Sequence, residues 1–202
     1  MAKAKRKQDV VRAALHRHDF VLIQEAHCNG YLEQDFLREC EPIHHCWPSF
    51  GDGRNLEGGL LTFCKRSFAQ NFNTITEISV ELGRISGIFL EGERSRLSVT
   101  NIHIQPLASQ CERIGLLTNL QSRLPSRASC RNVIAGDFNF VLQAEDKYRP
   151  TTSDFVGILN PEGKFFLESF ADYVEAYQSD YTRRGGEGDN LILSRLDQTV
   201  ST

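Results

Sequence analysis

The sequence predicts a mixed α/β architecture of the α+β kind, with mixed β-sheets covered by helices, on three observations. Its apolar residues fall into about seven short extended runs separated by segments of helical period. Several of those runs are joined by tight polar turns, as hairpins, rather than alternating strictly with helices. The length, 202 residues at 40% hydrophobic, suits one substantial core better than two small ones.

From the N-terminus, MAKAKRK concentrates cations in a solvated tail or helix start, residues 1–8, for which nuclear targeting or a phosphate contact is the sharper reading. From Asp9 the pattern VVRAALHRH predicts a short amphipathic helix feeding a buried strand, Phe20 to Ile23. Tyr31 to Cys40 reads as a helix. Pro42, Pro48 and glycines 51, 53, 58 and 59 then mark a long loop before the strand LLTFCK. Extended runs follow at Phe72 to Val80 and Ile85 to Leu90, and the turn EGER closes a hairpin with RLSVTNIHI. Ser109 with Glu112 is a capping box, and Ile114, Leu116, Leu117, Leu120 and Leu124 supply the stripe of the helix behind it. NVIA is another buried strand. Thr151 to Leu159 and Glu162 to Tyr173 read as helices divided by Asn160-Pro161, and LILSRL is the final apolar run.

Composition narrows the functional classes. A net charge of −3 argues against coating nucleic acid by bulk electrostatics, so any polyanion must be met locally. No run approaches the ~18 apolar residues of a membrane span and no signal-peptide core is present, which predicts an intracellular chain with no membrane partner. Six cysteines without a CxxC predict reduced thiols. Nothing in the sequence reports oligomeric state.

Four apolar strands run into polar residues able to do chemistry: FVLIQ into Glu25, LSVTNI into His103, NVIAG into Asp137 and LILSRL into Asp197. A single carboxylate of this kind more often caps a helix or pairs with an arginine, but four strand ends of one pattern point to a common site at a sheet edge. The sharpest string is GDFN. Gly136 permits a tight turn, Asp137 offers a hard oxygen or a base, and Asn139 offers an amide for a phosphate oxygen or a water; a simple Asx turn is the bland alternative.

IQEAH, GGLLTF, TNIHIQP, IAGDFNFV and SRLD, in that order, resemble the endonuclease/exonuclease/phosphatase family of metal-dependent phosphodiesterases and phosphatases. The resemblance implies a DNase I-like four-layer sandwich over residues 9–202. Asp146 and the stretch SFADYVEAYQSDYT resemble the retroelement and AP-endonuclease branches more than the lipid phosphatases. By motif, Glu25 and Asp137 resemble ligands of Mg²⁺, with Mn²⁺ as a substitute. His103 stands at the family's second-strand active-site position, Asp137 and Asn139 resemble the pair that orients water and contacts the scissile phosphate, and Asp197 resembles the acid that orients a catalytic histidine. Asn101, Asn139 and Arg195 are the candidate substrate contacts. Phosphodiester hydrolysis of nucleic acid, DNA above RNA, is the implied reaction, since hard carboxylates with a divalent cation stabilise charge on phosphate.

The departures from that pattern are as specific. The family carries an Asn-containing strand upstream of the first helix, where this sequence has MAKAKRK, and a terminal Asp-His pair, whereas the last histidine here is His103. The domain thus reads as incomplete at both ends, with strands lacking neighbours and with weak or no turnover. Two rivals stand beside the hydrolase: an inactive relic that binds nucleic acid or a protein partner, and a zinc site built from CEPIHHCW with His27 and Cys28.

Overall fold

The computed structural model describes the chain apart from residues 1, 27–30, 52–58, 177, 179 and 188–190, and gives the backbone alone for residues 2–6 and 31–33. In chain order the elements are α1 (Ala2–Arg17), β1 (Phe20–Ile23), α2 (Tyr31–Cys40), β2 (His44–Ser49), β3 (Leu60–Lys65), α3 (Arg66–Ala69), β4 (Thr74–Glu81), β5 (Ile85–Glu91) and β6 (Arg96–His103). Then follow α4 (Gln110–Arg123), β7 (Arg131–Asp137), a single 3₁₀ turn at Ala144–Asp146, β8 (Lys147–Arg149), β9 (Asp154–Phe155), α5 (Pro161–Ser169), β10 (Val174–Glu175), β11 (Arg183–Gly185), β12 (Ile192–Ser194) and β13 (Asp197–Ser201).

Period-two alternation sorts these strands into layers. On β3, Leu61 and Phe63 face Leu15 of α1 and Phe36 and Cys40 of α2. Cys64 of the same strand faces the other way, against Ile88, Leu90 and Val99 of β5 and β6. The far side of β5, β6 and β7 carries Ile85, Ile102 and Ile134, which meet Leu117 and Leu120 of α4 and Phe166 of α5. Helices, a three-stranded sheet in the order β1-β3-β2, a six-stranded sheet in the order β10-β13-β7-β6-β5-β4, and helices again make the four layers. A small antiparallel sheet, β11-β12-β8-β9, lies beside them.

Only β6 and β7 of the large sheet run parallel. A parallel pair needs a long crossover, and α4 provides it. The Ser109 hydroxyl accepts from the Glu112 amide at 3.3 Å while the Glu112 carboxylate accepts from the Ser109 amide at 2.7 Å, so the capping box forms as the sequence predicts. The EGER turn likewise closes the β5–β6 hairpin with Glu91 opposite Arg96.

Other expectations fail for identifiable reasons. The loop expected from Pro42 to Gly59 contains β2, which runs through Pro48 because β2 is an edge strand and Pro48 gives up no ladder bond the sheet interior needs. Thr151 to Leu159 is not a helix: its Thr, Phe and Val residues instead bring β9 against β8, and Gly157 lies so close to the 3₁₀ turn that a Cβ there would meet the Ala144 oxygen at 2.6 Å. The last apolar run divides at Arg195, with β12 entering the small sheet and β13 the large one. Of the two readings of the N-terminal cations, solvated tail or helix start, the second holds: they supply the first turns of α1.

Among the described residues β1 pairs with β3 alone, and the three-stranded layer covers only part of the large sheet. A groove of about 480 Å³ opens there, lined by Phe20, Leu22, Val99, Val133, Gln24 and Asp197. The described cysteines are free thiols, and burial pushes Cys64 up to about 12, which keeps it an inert core residue.

Candidate functional site

Register brings the strand ends together. Asp137, the last residue of β7, stands opposite His103 of β6 on one side and opposite Asp197 of β13 on the other. Alternation puts all three on the face toward the three-stranded sheet, where β1 ends in Gln24 and Glu25. The Asn101 amide donates to the Ile23 oxygen of β1 and the Leu61 oxygen of β3, both at 3.2 Å, and its own oxygen accepts from Gln24 at 2.7 Å. Asn101 is fully buried. Its side chain therefore fastens the two sheets and fixes where Glu25 emerges, a different task from the substrate contact the sequence suggested.

The GDFN turn is built as tightly as the motif implies. Gly136 has φ +142, and a Cβ on it would sit 2.1 Å from the Ile102 oxygen, so the position requires glycine. Asn139 takes φ +51, its amide N–H donates to the Asp137 carboxylate at 3.0 Å, and its side chain donates to the Ile104 oxygen at 2.7 Å. Ile104 in turn donates its N–H to the Asp137 carbonyl at 2.9 Å. The bland Asx turn and the functional arrangement are the same object: the turn that closes the strand also holds the carboxylate still.

Electrostatically the site is unbalanced. Burial, then the charge of Asp197, and more weakly that of Glu25, push the Asp137 carboxyl up to about 6, against the pull of its bonds to Asn139. Two acids thus act on a third. Arg84 is turned toward the histidine rather than the acids, its Nη1 3.2 Å from His103 Nδ1, and the other imidazole nitrogen, Nε2, lies 3.5 Å from Glu25 Oε1. Glu25 itself has φ +51 and a side chain 62% exposed, whereas His103 is 3% exposed. From this pair an open groove of about 810 Å³ runs past Glu81, Arg84, Gln105 and Leu107 to the side of α4.

Arg195 is placed otherwise than a substrate contact requires. Its guanidinium reaches Asp146 Oδ1 at 3.3 Å and the Gln178 oxygen at 2.8 Å, lies over the Tyr181 ring and is 12% exposed. Asp146, fully buried, also accepts from the Leu142 and Gln143 amides at 2.7 and 3.0 Å and from Gln198 at 3.2 Å. That cluster holds the turn from which β13 and Asp197 set out.

Sequence reasoning overlooked Arg84 and Gln105. The signal for Arg84 was present in the hairpin: counting back from Glu91 opposite Arg96 sets Arg84 opposite His103, and the His103 amide does donate to the Arg84 oxygen at 2.8 Å.

The donor set around Asp137 consists of carboxylate oxygens, the preference of a small hard cation, which takes one or two carboxylates and fills its remaining positions with water and substrate oxygens. Among the described residues no three His, Cys, Asp or Glu converge as a larger metal cage. That bears on the zinc rival as well. His44 faces the Leu15 oxygen, His45 faces Arg66 and Cys40 is buried against α1 and β3, while His27 and Cys28 lie outside the described residues.

Solved structures share the fold. The endonuclease domain of TRAS1, a telomere-specific non-LTR retrotransposon, matches 97% of this chain and 78% of its own at 11% identity, with a TM-score of 0.61. The AP endonuclease LMAP from Leishmania major matches 98% and 74% at 15% identity, TM-score 0.71. TDP2 from D. rerio, solved with a single-strand DNA product, matches 96% and 75% at 15% identity, TM-score 0.56. No curated protein matches the sequence. The model of the Endonuclease/Exonuclease/phosphatase family matches residues 2–202, from the first helix to the last strand, and the chain belongs to that family.

Proposed function

We propose that the chain is a divalent-metal-assisted phosphodiester hydrolase acting on nucleic acid, with DNA the favoured substrate. One observation carries the reading: Asp137 is held rigidly with His103 and Asp197 at its flanks in register, and its carboxyl is pushed up to about 6 by burial and by two neighbouring acids. A structural cluster would pair those charges. A cation site leaves them facing one another.

Glu25 and Asp137 are the residues that would hold Mg²⁺ or Mn²⁺. When bound, such an ion supplies neutralisation of charge on the phosphate and on the leaving oxygen. The chain's own groups do the rest. Asp137, immobilised by the Asn139 amide, orients a water and accepts its proton. Asp197, across the β7–β13 ladder, keeps the Asp137 carboxyl basic enough for that task near neutral pH. Asn139 fixes the turn through the Asp137 carboxylate and the Ile104 oxygen, which leaves one N–H of its side-chain amide to give to the phosphate. His103 supports Glu25 from a buried position. The nucleic-acid neighbours TRAS1, LMAP and TDP2 support this choice of substrate class.

Plasmid nicking tests the reading. Wild-type protein, impaired because the terminal catalytic histidine of the family pattern is missing, is expected to nick only weakly in Mg²⁺ and to stop in excess EDTA, and Asp137→Ala to remove the nicking that remains. Equal nicking by the two proteins would mark a contaminant. Retarded migration of DNA without nicking by wild type would replace the hydrolase with a binding relic.

A further inference from the structure

We infer that Arg84 is a positioning residue: it fixes His103 as the neutral tautomer protonated on Nε2 and through that proton orients the Glu25 carboxylate. The inference rests on the hydrolase reading for its purpose, but its chemistry follows from donor and acceptor capacity alone.

A guanidinium carries N–H groups only and stays charged at every pH the fold survives. Its Nη1 stands 3.2 Å from His103 Nδ1, so Nδ1 must present its lone pair there. The single proton of the neutral ring then sits on Nε2, and Nε2 faces Glu25 Oε1 at 3.5 Å. The imidazole is 3% exposed while Glu25 is 62% exposed, so the mobile partner is the carboxylate, and a sub-ångström swing brings it to the proton. Arg84 is itself held from two sides. With the Gln105 amide turned to set its oxygen toward Arg84, that oxygen accepts from the guanidinium, and the Arg84 main-chain oxygen accepts from the His103 amide at 2.8 Å.

Two consequences follow. Both ring nitrogens of His103 are committed, one as acceptor from Arg84 and one as donor to Glu25, so His103 is not the proton acceptor of the reaction. Glu25 also presents one oxygen to a buried donor while its side chain stays 62% exposed, the arrangement in which a ligating carboxylate is usually supported. Arg84 would then govern metal affinity from one residue further back.

The test uses the full chain near neutral pH, with side-chain ¹H–¹⁵N correlation of ¹⁵N-histidine protein, His103→Asn for assignment, and Mn²⁺ affinity from the free-ion paramagnetic resonance signal. Wild type should show His103 protonated on Nε2 alone. Arg84→Gln should populate both tautomers and weaken Mn²⁺ roughly tenfold. Arg84→Lys, which retains a cationic donor, should restore the single tautomer and most of the affinity, a rescue that a merely structural tie between β5 and β6 would not require. An Nδ1–H ring in wild type, an Arg84→Gln protein unchanged in either readout, or a wild-type chain that takes up no Mn²⁺ would overturn the inference. A chain that passes both readouts yet nicks no plasmid supports it while refuting the hydrolase reading.

Discussion

Two acids on neighbouring stretches of the chain, Asp137 and Asp146, meet opposite surroundings. Asp146 is fully buried and accepts from two backbone amides and from Gln198, with the Arg195 guanidinium at 3.3 Å. Asp137 is only partly buried, accepts from Asn139, and otherwise faces Asp197 and Glu25. Burial and those two charges push the Asp137 carboxyl up to about 6. Depth is compensated by donors at Asp146. The shallower site lacks that compensation, and an uncompensated acid held in fixed geometry is the mark of a place kept ready for something the chain does not itself contain.

The largest effect should come from breaking the compensated cluster. Asp146→Ala strands a buried guanidinium and two amides, and a loss of about 3–5 kcal/mol is expected in urea denaturation. Next comes geometry at the other acid. Gly136→Ala puts a methyl against the Ile102 oxygen at a φ of +142, and should cost about 2–3 kcal/mol while removing no charge.

Removing the charge of Asp137 should do the reverse. Its folded-state pKa lies above its ordinary value of 3.8, so the stability it contributes is fully present below pH 3.8 and is lost as pH rises through about 6. Above that window the ionised group opposes folding. Asp137→Asn should therefore melt no lower than wild type in alkaline buffer, although the same variant is expected to abolish nicking. A melting temperature that fell as steeply as for Asp146→Ala would make Asp137 a structural acid and erase the contrast.

The contrast was half legible in the sequence. Glu25, His103, Asp137 and Asp197 share one visible pattern, an apolar run ending in a polar residue, and GDFN announces its own turn. Local signals of the same kind gave α4 with its cap and the β5–β6 hairpin. What stayed hidden depends on pairing between distant segments. DQTVS alternates polar with small residues and reads as a tail until β7 is beside it, when Val200 turns to the core and Asp197 to Asp137. Asn101 and Arg195 look like polar residues offered to a ligand. Only the approach of β1 and β3 to Asn101, and of Asp146 to Arg195, shows that the Asn101 amide and the Arg195 Nη groups are engaged inside the protein. The histidines and proline of β2 conceal an edge strand for a similar reason: the apolar contacts that define it come from α2 and β3.

The finest division of the comparison concerns how much of the Asp137 perturbation belongs to its neighbour and how much to its depth. Burial is the larger cause and would persist in any variant that kept the fold, whereas the Asp197 charge can be removed without altering the β7–β13 ladder, since the backbone makes that pairing. Asp197→Asn should thus lower the Asp137 titration, followed by carboxyl ¹³C shift, from about 6 toward but not to 3.8. Adding Mg²⁺ to wild type should move it the same way, because a cation at the cluster favours the ionised form more strongly than the loss of one like charge does. A titration that moved with neither change would assign the whole effect to burial and reduce the three facing acids to a coincidence of strand ends.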